Sequence, residues 1–457
     1  MKKKVAFSIS ILLILIVIAV IGFNKMNTKQ EKKDYKEMTA MVMKVEEDKI
    51  TVQDSNNIIY TFLIEESDIN PGDILNLKYQ GKLNKNNNIQ ETKVMEYEKE
   101  KKTTDQDGVP IDWQDNGLFS QFYILASKKV SSMTIDEKIA QLLLVRYPEN
   151  NQVEILKDYQ FGGYIFFAKD FKDKTKEEVQ QMLKDLQNTA TIPILTAVDE
   201  EGGTVVRVSS NKNLRNERFQ SPRQLYLEGG FDRIKEDTIE KSDLLKELGL
   251  NLNLAPVVDV STNPDDYMYE TRLGENTELT STYAKTVINA SKNLGVSYTL
   301  KHFPGYGNNE DTHTGSTVDN RTYEDILKND IPPFQSGIEA GAEAILVSHN
   351  TVNSIDPDNP ASLSPGIHNL LRNELKFTGI IITDDLDMGA VSTIDNATVK
   401  ALLAGNDLII TTDYEKSFNE IKEALNTKII DETLIDKLAF RIVAWKYYKG
   451  LMFEINK

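Results

Sequence analysis

The 457 residues include no cysteine. That one absence excludes disulfides, thiolate metal sites, a cysteine nucleophile and a lipid-modified cysteine behind a leader segment. Histidine is scarce as well, with only His302, His313, His349 and His368. Their spacings of 11, 36 and 19 residues make no H-x-H or H-E-x-x-H pattern, so no metal is expected. Neither G-x-x-x-x-G-K-[ST] nor G-x-G-x-x-G stands at a strand-to-helix turn, and no nucleotide cofactor is expected either. Positive charge is in deficit, with 53 Lys and Arg against 70 Asp and Glu, a net −17 that argues against nucleic acid as a partner.

Long apolar runs are confined to the amino terminus, where Val5 to Phe23 follow Lys2, Lys3 and Lys4 and end at Asn24 and Lys25. These nineteen residues, at about 1.5 Å each, just cross a hydrocarbon core of about 30 Å. The lysines hold their end in the cytoplasm. No clear small-x-small cleavage site follows, so residues 1–25 are expected to be an uncleaved single-pass anchor through the cytoplasmic membrane. The rest of the chain would then lie outside the cell, with secretion after signal cleavage as the alternative.

A polar stretch, 26–37, reads as a tether. Residues 38–98 show short alternating runs, such as Ile50, Val52 and Ile58, Tyr60, Phe62, separated by turn chemistry at Asp54 to Asn57 and Asn70 to Asp73. A small antiparallel β module of the barrel or sandwich kind is expected, with a spacer or wall-binding role. Residues 99–116 form a charged linker. From 117 to 457 the grammar changes, and eight apolar runs alternate with amphipathic stretches: Leu142 to Val145, Tyr164 to Phe167, Ile192 to Val198, Leu252 to Val260, Val296 to His302, Ala344 to His349, Gly379 to Thr383 and Asp407 to Thr411. The helical patterns between them include Lys176 to Gln187, Ile234 to Leu248, Thr280 to Asn293 and Tyr323 to Ala340. This alternation predicts an α/β fold, a (β/α)8 TIM-type barrel, with a doubly wound open sheet as the other candidate.

In such a barrel, chemistry sits at the carboxyl ends of the strands. Residues there include Asp199, Glu200, Glu201, Arg207, Asp259, Arg272, Lys301, His302, His349, Asp384 and Asp385, with Asp311 and His313 in the loop after Pro304, Gly305 and Gly307. A mouth of carboxylates, a few cations and histidine suits a neutral polyhydroxylated ligand such as a sugar. Asp385 and Asp387 read as caps of a following helix, Glu201, Asp259 and His349 as supporting groups, and His368 as a surface residue.

Four ordered motifs, DEEGGTVVR at Asp199 to Arg207, NLAPVVDV at Asn253 to Val260, KHFPGYG with DTH at Lys301 to His313, and ITDDLDMGA at Ile382 to Ala390, resemble the bacterial β-N-acetylglucosaminidases of glycoside hydrolase family 3. The resemblance runs from about Leu118 to Phe453. It implies Asp384 as nucleophile, His313 as acid/base assisted by Asp311, and Asp199, Arg207, Arg272, Lys301 and His302 as substrate-holding residues. The reaction implied is exo-acting, retaining removal of terminal N-acetylglucosamine from β-linked glycans such as peptidoglycan fragments. A β-glucosidase or β-xylosidase of the same family, transfer to phosphate instead of water, and a non-catalytic wall-sugar binder are the alternatives. The sequence departs from the family pattern at Tyr306, where histidine is usual, and at Asn308, where aspartate is common.

Overall fold

The computed structural model describes residues 36–453, apart from 47–48, 55–57, 64–68, 70–72, 81, 84–93, 100–104, 106, 262–263, 265–268, 270–271 and 308–316. The expected anchor over 1–25, most of the tether, and the loop residues Asp311 and His313 lie outside the described residues. Among the described residues no helix is long and apolar enough to cross a membrane. The chain forms two compact units, one up to residue 103 and one from residue 104 on.

In the first unit, strands β1 (Lys36–Glu46), β2 (Lys49–Asp54), β3 (Ile59–Leu63), β4 (Ile74–Tyr79) and β5 (Val94–Lys99) pair antiparallel in the order β3-β2-β1-β4-β5. The period-2 pattern turns Ala40, Val42, Ile50, Val52, Phe62, Leu75 and Leu77 to one buried cluster. β1 is long because its first half pairs with β4 and its second half with β2, across an irregularity between Val42 and Lys44. Among the described residues β3 and β5 remain edges, so the module is an open single sheet where a barrel or sandwich was expected.

The second unit carries eight parallel strands: β6 (Leu143–Arg146), β7 (Gly163–Phe166), β8 (Leu195–Val198), β9 (Leu252–Asn253), β10 (Ser297–Phe303), β12 (Ala344–Val347), β14 (Ile380–Thr383) and β15 (Ile409–Thr411). A separate two-stranded pair is made by β11 (Val318–Asp319) and β13 (Thr351–Val352). The eight run in the order β14-β12-β10-β9-β8-β7-β6-β15, and a bridge from Ile382 to Leu408 brings the two ends together. That near-closure fits a TIM-type barrel and not an open doubly wound sheet. The strands were legible as unbroken apolar runs because both faces are covered: every residue of β7, β8, β12 and β14 is buried.

Differences in extent have local causes. The run Leu252 to Val260 keeps only two strand residues, since Pro256 has no N–H with which to extend a ladder. The expected helix Tyr323 to Ala340 is two, Tyr323–Asn329 and Ile331–Glu339, parted before Pro332 and Pro333. The expected Ile234 to Leu248 extends back to Pro222, with a kink at Gly229 and Gly230. At the amino-terminal end of the barrel the Asp407 carboxylate accepts from Arg441 Nε at 2.7 Å, from Arg372 and from the Ile381 amide at 2.8 Å, tying the last helix, Glu432–Tyr448, to the strands.

Candidate active site

The loops after the strands enclose a cavity of about 570 Å³. Asp199, Arg207, Lys301, His302 and Asp384, five of the residues singled out by sequence, line it together. Arg272 does not line it. Its side chain is 1% exposed and donates from Nη1 to the Gly307 carbonyl at 3.4 Å.

Asp199 and Glu201 come from the turn after β8. Gly202 and Gly203 let the chain reverse there, both at positive φ, and a Cβ on Gly202 would overlap the Gln220 carbonyl. Glu200 faces inward, its carboxylate accepting from the backbone amides of Arg207, Val208 and Ser209. It therefore folds the segment that returns Arg207 to the cavity. Lys301, near the end of β10, sets its ammonium 2.8 Å from both Asp199 Oδ1 and Glu201 Oε1, while Arg207 Nη2 lies 3.3 Å from Asp199 Oδ2.

These are buried charges, and their titration follows from who faces whom. Burial alone would raise the Asp199 carboxyl, but Lys301 and then Arg207 outweigh it and hold it at about 2. Burial would lower Lys301, but Asp199 and Glu201 raise it above its ordinary value. Glu201 goes up, because burial and the Asp199 charge exceed what Lys301 supplies. The cluster thus presents paired, mutually oriented charges to a ligand rather than a bare field.

His302 is set by Asp259, whose Oδ2 is 2.9 Å from Nδ1 and 3.1 Å from the His302 amide, while its Oδ1 accepts from the Tyr306 amide at 2.7 Å. With a carboxylate as acceptor, the ring proton belongs on Nδ1. Asp259 stays below the ordinary carboxylate value despite burial, chiefly through His302, with Arg272 and the Tyr306 amide adding to it. Tyr306, where the family pattern has histidine, is 2% exposed and packs edge-on to His302 at 5.2 Å.

Asp384 follows β14. Its amide donates to the Val347 carbonyl of β12 at 3.0 Å, which fixes the backbone across neighbouring strands. Its Oδ1 accepts from the Asp385 amide at 2.9 Å, so the half-buried carboxylate is aimed from a rigid strand end. Asp385 and Asp387 do not cap a helix, since the next one, Ala397–Ala404, starts after Asn396. Instead they fold the intervening loop. Asp385 accepts from the Asp387 amide and from Thr412 Oγ1, and Asp387 accepts from the amides of Thr412 and Asp413. Burial first, with the charges of Asp387 and Asp384, pushes the Asp385 carboxyl up to about 6. His349, 1% exposed, lies between Ser362 Oγ at 2.7 Å and the Asp385 carbonyl at 2.9 Å, and so supports this segment from behind. His368, expected at the surface, is 2% exposed, with Nδ1 2.8 Å from the Ser364 carbonyl oxygen.

Sequence reasoning passed over Arg146, Phe167, Met388 and Thr412, which also line the cavity. The available signal was position: Arg146 and Thr412 each directly follow an expected strand, and Phe167 ends one. Asp311 and His313 lie outside the described residues.

The chain is similar to known proteins over its barrel unit. The profile of the Glycosyl hydrolase family 3 N terminal domain matches residues 134–444. A Beta-hexosaminidase of Xylella fastidiosa (strain M23) is 27% identical over 312 residues, covering 67% of this chain and 91% of that protein. Beta-hexosaminidase LpqI of Mycobacterium tuberculosis (strain ATCC 25618 / H37Rv) is 27% identical over 325 residues, covering 68% and 82%. Among solved structures, a glycoside hydrolase family 3 beta-N-acetylglucosaminidase from Paenibacillus sp. str. FPU-7 superposes with a TM-score of 0.66 at 26% identity, over 71% of this chain and 66% of that one.

Proposed function

The chain belongs to glycoside hydrolase family 3, and from that premise we propose that it is an exo-acting, retaining β-N-acetylhexosaminidase releasing terminal N-acetylglucosamine from β-linked glycans, peptidoglycan fragments among them. The observation that carries the reading is the convergence of Asp199, Arg207, Lys301, His302 and Asp384 on one cavity at the carboxyl ends of the strands. Paired charges there offer a sugar both acceptors and donors. Asp199 accepts from hydroxyls, and Arg207 and Lys301 donate to hydroxyl or amide oxygens.

In the proposed reaction Asp384 attacks the anomeric carbon as the glycosidic C–O bond breaks, and His313 gives its proton to the departing oxygen. The carboxylate opposes the positive charge that builds on the ring, then becomes the ester of a glycosyl-enzyme. His313 next takes a proton from water, which attacks the same carbon and frees Asp384. An imidazole with an ordinary pKa of about 6.5 exchanges protons near neutrality, and Asp311, two residues earlier, would orient it. The roles of His313 and Asp311 rest on the DTH motif alone. Residues 5–23 are proposed to hold the enzyme at the outer face of the cytoplasmic membrane.

The test is a panel of β-glycosides with and without the 2-acetamido group, each assayed with and without phosphate. The expected result is hydrolysis of the acetamido sugar, independent of phosphate. Preference for a β-glucoside or β-xyloside would reassign the substrate, and phosphate-dependent turnover would reassign the acceptor. For His313→Ala, the loss should be about 10²-fold or more on a poor leaving group and much smaller on a nitrophenolate, which departs without a proton. Equal losses on both would remove His313 from the acid role.

A further inference from the structure

We infer that Arg146 is a recognition point for an oxyanion, a carboxylate or phosphate, carried by the glycan that enters this cavity. The inference rests on the glycosidase reading above and adds a substituent to its substrate.

The other cations of the cavity are already answered. Lys301 sits between Asp199 and Glu201, and Arg207 lies against Asp199. Arg146, at the carboxyl end of β6, is different: among the described residues its guanidinium has no hydrogen-bond or ion-pair partner, although it lines the same cavity and is partly shielded from solvent. The nearby carboxylates are committed elsewhere. Glu149 is 2.7 Å from Lys169, and Asp170 accepts from the Phe167 amide at 2.8 Å.

What Arg146 does have is a platform. Its guanidinium carbon lies 4.2 Å from the centre of the Phe167 ring, and Arg207 lies 5.2 Å from the same ring. A guanidinium stacked on an aromatic face keeps its N–H donors in its own plane, available to a planar or tetrahedral oxyanion. Stacking also removes rotamer freedom before a ligand arrives, so less is lost on binding. Because Phe167 touches both arginines, the platform joins Arg146 to the residues proposed to hold the sugar.

The rest of the lining makes the position of the charge specific. Asp384, Asp385 and Asp387 line the same cavity, on the loop after β14. An anionic substituent near them would be repelled, whereas near Arg146 it would be held, so a charged glycan has one favoured orientation. A neutral glycan can offer the Arg146 donors only hydroxyl or amide oxygens, whose hydrogen bonds lack the added charge attraction of an oxyanion.

The test compares kcat/KM of the full chain for three β-N-acetylglucosaminides: one with a neutral aryl leaving group, one with a carboxylate on that aryl group, and one with the neutral aryl group and a 6-phosphate on the sugar. Wild-type protein should favour one charged substrate over the neutral one by about tenfold, the scale of one charge-assisted contact. In Arg146→Ala that ratio should collapse toward one, in Arg146→Lys part of it should survive, and in wild-type protein added salt should reduce it. The favoured substrate tells whether the oxyanion belongs to the leaving group or to the sugar. A charged-to-neutral ratio unchanged by Arg146→Ala for both charged substrates would overturn the inference while leaving the glycosidase reading intact. Absence of hydrolysis of all three would instead overturn the glycosidase reading. Calorimetric affinities of the same three compounds would then apply the same ratio test to Arg146 alone.

Discussion

Asp384→Asn should lower kcat/KM on a chromogenic β-N-acetylglucosaminide by about 10³-fold or more, roughly 4 kcal/mol of transition-state stabilisation, with the fold intact. Asparagine keeps the shape of aspartate, and its side-chain oxygen can still accept from the Asp385 amide, so the strand-end geometry has no reason to change. What it loses is the negative charge and the nucleophilic oxygen, which are the two things the proposed mechanism asks of this residue. The neighbouring carboxylate is the natural rival. Both oxygens of Asp385 are engaged, by the Asp387 amide and by Thr412, and its carboxyl is pushed up to about 6, so near pH 6 half of it is protonated. Asp385 is thereby suited to shaping the loop and poorly suited to attack. Circular dichroism and a thermal melt would check folding. Wild-type turnover in Asp384→Asn, or an equally deep loss in Asp385→Asn with Asp384 intact, would shift the assignment.

How far this site could be read in advance depended on the kind of signal each residue gives. Asp199, Lys301 and Asp384 were legible because each ends an apolar run, and parallel strands buried on both faces write such runs plainly. Arg146 also ends a strand, but a lone arginine after Leu143 to Val145 carries no motif, and only the stacking on Phe167 singles it out. Asp385 and Asp387 show the reverse error. Two carboxylates just after a strand look like caps of the next helix, yet they turn toward Thr412 and Asp413, which are 25 or more residues away in sequence and invisible to local spacing. The burial of His368 was hidden for the same reason, since the side chains of His368 and Arg372 reach inward from a short helical stretch whose pattern looked ordinary. The break before Pro332 and Pro333 was available from covalent chemistry alone and was passed over.

Lys301→Met carries the second large effect, and it acts on stability as well as turnover. The ammonium is 2.8 Å from two carboxylate oxygens in a site where its side chain is 5% exposed. Methionine fills the space but leaves Asp199 and Glu201 facing each other without the charge between them. Breaking a buried pair from one side typically costs about 3–5 kcal/mol, and the lower end applies here because Arg207 still faces Asp199. The sign of the pH dependence follows from the shifts. In the wild-type fold the Asp199 carboxyl is held at about 2, below its ordinary 3.8, so it contributes stability above about pH 4 that is lost as pH falls toward 2. The Lys301 ammonium is raised above its ordinary 10.5, so its contribution is complete below that value and is lost only at higher pH. The deficit of the variant should therefore be fullest below about pH 10 and shrink as the medium is acidified, first as Glu201, already raised in the wild type, takes up a proton and then as Asp199 does, in place of the missing cation. Urea unfolding of both proteins at pH 7 and at pH 3 measures this, and turnover of the acetamido substrate at pH 7 should fall by about 10²-fold through loss of a donor and of its orientation of Asp199. A deficit of the same size at both pH values would mean that Lys301 serves by packing and not by charge, and the paired-charge account of the sugar site would go with it.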